Sequence, residues 1–253
     1  MKLFDLSGKA AIVTGGNGGI GRGLAVKLAA AGASVCIAGR NEEKNETVRR
    51  EIDGLGARAI SSSCDVNIEA DIASTIAATE KAFGGLDILV NNAGIAALNA
   101  PEHMTDEEWD SVVQTNLSSV FKFSRAAHPA LAKSGGGKII NIGSMYSIFG
   151  SPFAPGYSAS KGGVVQLTKS LAVAWAKDNI QVNSILPGWI TSDMTAPIKS
   201  DMPDLYEAIV ARTPAGRFGV PEECAGTVIF LASEAANFVT GQNIAVCGGY
   251  SIS

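Results

Sequence analysis

Several things are scarce in this 253-residue sequence, and each scarcity removes a class of function. Four cysteines (Cys36, Cys64, Cys224 and Cys247) stand far apart without a CxxC, and the two histidines, His103 and His128, show no metal-ligand spacing. Neither a disulfide framework nor a metal centre is expected. Cys36 and Cys247 fall within apolar, strand-like runs and read as buried, inert thiols. No Lys/Arg cluster is longer than Arg49-Arg50, and a net charge of −4 with a pI near 5.3 argues against nucleic acid as a partner. The opening MKLFDLSGKAAIVTG has only a short apolar run and carries Asp5, so it resembles neither a signal peptide nor a membrane span. A reduced, cytoplasmic setting without membrane contact is the expectation. Between Lys9 and Val246 there is no Ser- or Pro-rich linker and no internal repeat, which favours one domain over residues 1–253.

What is plentiful is apolar sequence, 46% of the chain, enough for a large core. Seven short apolar runs, at 10–15, 34–39, 57–66, 86–94, 138–144, 180–188 and 243–249, end in Gly, Asn or Asp and read as strands. Six helical stretches fall between them. The strands are almost wholly apolar instead of alternating, as expected where helices cover both faces of a sheet. Strand and helix in regular alternation predict a doubly wound α/β fold of the Rossmann type, with about seven parallel strands and ligands beyond their C-terminal ends.

The tips of the strands carry the chemistry. Strand one ends in TGGNGGIG (14–21) directly before a helix, where Gly15, Gly19 and Gly21, with Asn17, Gly18 and Ile20 between them, are spaced to admit a pyrophosphate to the helix N-terminus. The same stretch also reads as a flexible turn. Strand two lacks the acidic residue that commonly binds a ribose 2′-hydroxyl and runs out as Ala38-Gly39-Arg40-Asn41. Arg40 can pair with a 2′-phosphate, favouring NADP(H) over NAD(H), or be a solvated residue beside Glu42 and Glu43. At the third tip, Asp65-Val66, the carboxylate either accepts from an adenine amino group or caps the next helix. In NNAG (91–94), Asn91 is expected to hold the turn while Asn92, Ala93 and Gly94 let a cofactor approach; loop chemistry alone explains it equally well. Strand five reaches Ser144, and strand six ends in Pro187-Gly188-Trp189-Ile190-Thr191, with Thr191 able to bond a carboxamide.

Thirteen residues beyond Ser144, YSASK places Tyr157 and Lys161 one helical turn apart, on one face. A phenol titrating near ~10 carries protons poorly at neutrality unless a neighbouring cation favours its anion, a part open to Lys161.

TGxxxGxG at 14–21, NNAG, Ser144, YxxxK at 157–161 and PGxxxT at 187–191 together resemble the short-chain dehydrogenase/reductase family over essentially the whole chain. The resemblance implies an NAD(P)-dependent enzyme with a catalytic tetrad. Tyr157 would exchange a proton with the substrate oxygen and Ser144 would bond that oxygen. Lys161 would bind the nicotinamide ribose and lower the tyrosine's pKa. Asn116 would hold a water in the proton path, or else only bend its helix. Hydride transfer to a carbonyl builds charge on oxygen, so a proton donor and hydrogen-bond donors aimed at it suit the chemistry. Two departures stand out, the extra glycine of Asn17-Gly18 and Cys247 where the family often carries Asp. A homotetramer is implied by family analogy alone.

The stretch 189–218 is the least regular part of the chain and reads as a lid over a small carbonyl or alcohol substrate. Met145, Tyr146, Ile148, Phe149, Ala96, Ala97, Trp189 and Met194 either line a moderately apolar pocket or are loop packing. Two substrate classes resemble this sequence, sugar acids of the gluconate 5-dehydrogenase kind and 3-oxoacyl carrier-protein thioesters. The latter need basic residues at the mouth. The stretches expected to supply them, AKSGGGK (132–138) and AKDNI (176–180), offer few, which favours the sugar acid or another small ketone. A non-catalytic nucleotide sensor and an epimerase stand as rival classes.

Overall fold

The computed structural model describes residues 2–253. Seven strands form one sheet in the order β3-β2-β1-β4-β5-β6-β7. They are β1 (Ala10–Thr14), β2 (Ser34–Gly39), β3 (Ala59–Ser63), β4 (Ile88–Asn91), β5 (Gly137–Ile142), β6 (Ile180–Pro187) and β7 (Asn243–Val246). Every pairing is parallel, so each connection crosses over through helix. The helices are α1 (Gly19–Ala30), α2 (Glu42–Gly54), α3 (Glu69–Phe83), α4 (Asp106–Val113), α5 (Ser119–Lys133), α6 (Pro155–Trp175), α7 (Ala196–Asp201), α8 (Pro203–Arg212) and α9 (Pro221–Ala232). Strand order reverses between β1 and β4, and there the loops after the two strands diverge and leave a crevice.

Two cores follow from the two faces. Val13, Ile37 and Val90 point into one with Leu24, Leu28, Val228 and Leu231; Ile12, Cys36 and Leu89 point into the other with Ile72, Phe123 and Leu131. Neighbours along a strand thus feed opposite cores, which is why the strands read as unbroken apolar runs. Gly23 lets α1 lie directly on α9: a Cβ there would stand 2.6 Å from Cβ of Pro221. Strand β3 is shorter and more polar than the apolar run at 57–66 suggested, because it is a sheet edge with exposed Ser61 and Ser63.

Three expectations need correction. The connection between β4 and β5 is interrupted by a π turn at Gln114–Ser118 between α4 and α5. The segment 189–218 is more regular than expected, since α7 and α8 lie within it; prolines at the first turn of each start helices where the apolar pattern is weak. Cys247 lies one residue past β7 and is half-exposed, not buried. Burial acts upward on its thiol, but hydrogen bonds with Ser251 and the Gly249 and Tyr250 amides outweigh it and pull the pKa down. Cys36 is the inert kind: burial pushes it up to about 11. Among the described residues no helix is long and apolar enough to cross a membrane, and no group of His, Cys, Asp or Glu can hold a metal.

Candidate active site

The crevice at the C-terminal strand ends has a volume of about 980 Å³ and runs from Arg40 and Asp65 at one end to Ser144, Tyr157 and Lys161 at the other. Its floor is the turn after β1. Gly15 adopts φ +60°, a left-handed conformation. A Cβ on Gly21 would stand 2.1 Å from the Gly15 carbonyl oxygen and 2.4 Å from Nδ2 of Asn92, so only hydrogen fits. The Asn92 amide donates to the Thr14 oxygen at 2.9 Å, and Thr14 Oγ1 accepts from the backbone N–H groups of Asn92 and Ala93 at 2.9 and 3.0 Å. Asn92, not Asn91, therefore holds the two loops together. Asn91 points into the sheet's interior and donates to Ser124 Oγ and Asn141 Oδ1 at 3.0 and 2.9 Å, because it ends β4 on the face covered by α5.

Ser144 follows β5 and begins a single 3-10 turn, Met145–Ser147. Ser147 Oγ accepts from the Ser144 N–H at 3.1 Å and donates to the Lys161 carbonyl at 2.8 Å, pinning that turn to α6. Ser144 and Tyr157 line the same end of the crevice. Burial is the largest influence on that phenol and pushes its pKa up, with Ser144 acting the other way. Lys161 is not among the groups that move the phenol. The Lys161 ammonium donates to the Ile142 carbonyl at 2.7 Å and lies 5.6 Å from the Tyr157 ring centre, and burial lowers its own pKa to about 8. Desolvation is the leading influence at both groups.

Asn116 sits in the π turn, fully buried, and ties that turn to the loop after β4. Its Oδ1 accepts from the Ile95 N–H at 2.8 Å, and its Nδ2 donates to the Ile95 carbonyl at 2.8 Å and to Ser160 Oγ at 3.3 Å. It does not line the crevice. Neither does Thr191, whose backbone N–H is spent on Gly219 at 2.9 Å. The hydroxyls presented there belong to Ser192 and Thr195, and Thr195 Oγ1 donates to the Ile190 carbonyl at 2.7 Å. All other residues expected to bind cofactor line the crevice, and Pro187, Gly188 and Ile190 form its β6 wall.

Several lining residues carry little or no signal in the sequence. Lys44, in the first turn of α2, adds a second cation near Arg40; its position one turn after Arg40 was the available signal. Asp193 reaches across to it at 3.7 Å. Asn67 carries a buried Oδ1 without a hydrogen-bond partner. Met194 was anticipated, whereas Met145 is buried against Leu186 and Tyr250. Ile95 has no signal beyond following NNAG. Asp65 makes an Asx turn, its Oδ1 accepting from the Asn67 N–H at 2.9 Å, and α3 begins later, at Glu69. The segments 132–138 and 176–180 precede β5 and β6 and so sit at the opposite strand ends from the crevice; their charge has no bearing on its mouth.

A glycine-lined turn that a single Cβ would fill, an orphaned acceptor, two cations at one end and a paired Ser/Tyr at the other fit a nicotinamide dinucleotide. A family model described as enoyl-(acyl carrier protein) reductase matches residues 15–251. The chain is 42% identical to a 2-dehydro-3-deoxy-D-gluconate 5-dehydrogenase from Dickeya dadantii, covering 99% of this chain and 98% of that protein. The chain belongs to the short-chain dehydrogenase/reductase family. It is also 41% identical to a 3-oxoacyl-[acyl-carrier-protein] reductase from Escherichia coli, over 97% of this chain and 98% of that one. Among solved structures, a gluconate 5-dehydrogenase from Burkholderia cenocepacia in complex with NADP and tartrate superposes with a TM-score of 0.95 at 38% identity, over 100% of this chain and 98% of that one. As a short-chain dehydrogenase/reductase the protein is an oxidoreductase that works with a nicotinamide cofactor, which removes the non-catalytic sensor as a reading.

Proposed function

We propose that this dehydrogenase interconverts a ketone and a secondary alcohol on a small sugar acid, with NADP(H) favoured over NAD(H). The observation carrying this reading is a single crevice that holds Ser144, Tyr157 and Lys161 at one end and Arg40 with Lys44 at the other. When bound, the nicotinamide supplies or accepts the hydride. Tyr157, with its pKa raised, is a neutral phenol at pH 7 and gives its proton to the substrate oxygen in the reducing direction. Ser144 donates a hydrogen bond to the same oxygen and steadies the charge that develops there. Lys161, protonated below about 8, binds the ribose hydroxyls. Asn116, with both amide hydrogens occupied and one Oδ1 lone pair free, accepts from a water that returns protons toward Lys161; a Cβ on Gly94 would stand 3.2 Å from that Oδ1 and 3.6 Å from Nζ, so the two groups flank one glycine.

Arg40 and Lys44 favour the 2′-phosphate because neither Glu42 nor Glu43 lines the crevice and no acid occupies the tip of β2. Glycine positions 15, 18, 19 and 21 with Asn17 and Ile20 hold the pyrophosphate. Asp65, Val66 and Asn67 face the adenine, and Asn92, Ala93, Gly94, Pro187, Gly188 and Ile190 face the nicotinamide half. In place of Thr191, Thr195 is the hydroxyl assigned to the carboxamide side. We take residues 1–253 as one domain with 189–218 as its lid. Four free cysteines suit a reducing cytoplasm, and the exposed Phe121 and Val173 on α5 and α6 suit burial in a homotetramer.

Two gluconate-type relatives support the sugar acid, and the acyl-carrier reductase relative supports a second reading, reduction of a 3-oxoacyl thioester. Absorbance of NADPH and NADH, followed separately against keto-sugar acids, neutral ketones and 3-oxoacyl thioesters, tests both. Turnover of keto-sugar acids with NADPH at the highest kcat/KM is expected. A thioester at the head of that ranking overturns the substrate, and NADH at its head overturns the cofactor.

A further inference from the structure

Arg212, the last residue of α8, stands on the segment 189–218. Arg22, Arg49 and Arg217 each hold a carboxylate, but among the described residues Arg212, like Arg40 and Arg58, pairs with none, and it alone of the three sits over two rings. Its guanidinium sits over two aromatic rings, with its carbon 4.1 Å from the Tyr250 ring centre and 4.9 Å from that of Phe149. One of its five N–H groups, on Nη1, donates to the Tyr250 hydroxyl at 3.1 Å. Cation–π contacts of this kind hold the cation without neutralising it, leaving its other N–H groups free for an oxyanion.

The rings beside it do not line the crevice but adjoin its reaction end, through the cluster that holds Trp189 and through Tyr146. Phe149 lies five residues after Ser144, across the same turn. Phe149 and Tyr250 meet edge to face at 6.2 Å, and both pack in one small cluster with Met145, Leu186 and Trp189. Tyr146, from that turn, meets Tyr157 edge to face at 6.3 Å and Trp189 at 6.1 Å. The phenol of Tyr146, raised chiefly by burial, is drawn the other way by Ser151 and by the charge of Arg212, so that charge is felt beside Tyr157's neighbour.

We propose that Arg212 is the carboxylate-binding residue of the substrate site and selects acids whose carboxylate lies several carbons from the reacting carbon. The separation of Arg212 from Tyr157 by at least one ring excludes a 2-oxo acid, whose carboxylate adjoins the carbon being reduced. Because Arg212 ends α8, an acid bridging it to Ser144 and Tyr157 also holds the lid against the β5 loop. The inference rests on the sugar-acid reading above and names the group that recognises the acid.

The test compares 5-keto-D-gluconate with fructose, a neutral ketose of equal length, in the wild type, Arg212→Gln, Arg212→Lys and Tyr250→Phe. The readout is the ratio of kcat/KM for the acid to that for the ketose, with NADPH binding by fluorescence as the folding control. In Arg212→Gln the ratio should fall ~10- to 100-fold, mostly through KM, as expected for one charge-assisted contact. Arg212→Lys should recover part of it, and Tyr250→Phe should cost a few-fold. A ratio that moves less than about 2-fold in both Arg212→Gln and Tyr250→Phe overturns the inference, and the Tyr250 variant decides alone where the glutamine variant does not fold. A wild type with no preference for the acid overturns the sugar-acid reading itself.

Discussion

The two ends of the crevice are built from different materials. At the β1–β4 end the wall is backbone: glycines without room for a methyl group, and an asparagine amide and a threonine hydroxyl that hold two loops at one spacing. At the far end side chains take over, Ser144, Tyr157 and Lys161. Beside them aromatic rings meet edge to face, Arg212 sits over two rings, and the segment 189–218 that carries it reaches α2 through the exposed Lys44–Asp193 pair. A dinucleotide offers the same pyrophosphate to every enzyme that uses it, so its cradle can be rigid and needs small residues at fixed spacing. Substrates differ, and side chains on a segment outside the sheet can be changed without disturbing it.

Variants at each end should separate the two. The largest effect is expected from Tyr157→Phe, which should lower kcat ~10²- to 10⁴-fold while the dissociation constant for NADPH stays within a few-fold; strong residual turnover in stopped-flow traces would remove the proton-transfer role. Gly21→Ala attacks the rigid end. Its methyl group must displace the Gly15 carbonyl or the anchored Asn92 amide, so NADPH affinity should drop by ~10-fold or more and the denaturation midpoint should fall by an amount matching ~1–3 kcal/mol. A wild-type melt with tight NADPH binding would show that the floor can yield.

Next in size, Arg40→Asp should turn the ratio of kcat/KM for NADPH over NADH toward NADH by ~10-fold, and an unmoved ratio would leave the 2′-phosphate without its proposed partner. The pH dependence is milder. Lys161 is held at about 8 against an ordinary 10.5, so it is charged at pH 7 and loses its proton as pH rises through about 8. Cofactor affinity of the free enzyme should weaken over that rise, and Lys161→Met should flatten the profile in a fluorescence titration. The linkage to stability has the opposite sign: burying the ammonium costs the folded state below about 8, and because the unfolded chain binds more protons between about 8 and 10.5, this group's contribution to stability rises with pH there. Smallest of all, Asp193→Asn breaks an ion pair whose side chains are 60% and 90% exposed, and should change KM by less than about 2-fold at low salt and not at all at high salt.

How much of this was readable in advance depends on the range of the interaction. TGGNGGIG and YSASK are local: a turn needing left-handed backbone and a pair one helical turn apart are spelled by neighbours in the chain. Asn92 was passed over for Asn91 because both are asparagines at one strand end, and only the pleat decides which faces the sheet interior and which the loop. Thr191 was preferred to Thr195 for the like reason that the path of the chain after β6 is set by its bridge to Gly219. The segments 132–138 and 176–180 were placed at the crevice mouth, although parallel strands put them at the opposite edge.

By itself, the order of apolar runs, glycines and polar strand ends determined a parallel sheet with a dinucleotide crevice and a tyrosine beside a serine, because each depends on spacing along the chain. Only the tertiary structure decided that burial leads in setting the phenol's acidity, that Asn116 serves the loop after β4 from within a π turn, and that Arg212 comes to rest on Phe149 and Tyr250. Desolvation and contacts between residues dozens of positions apart exist only once the chain has packed, and no local pattern encodes their balance.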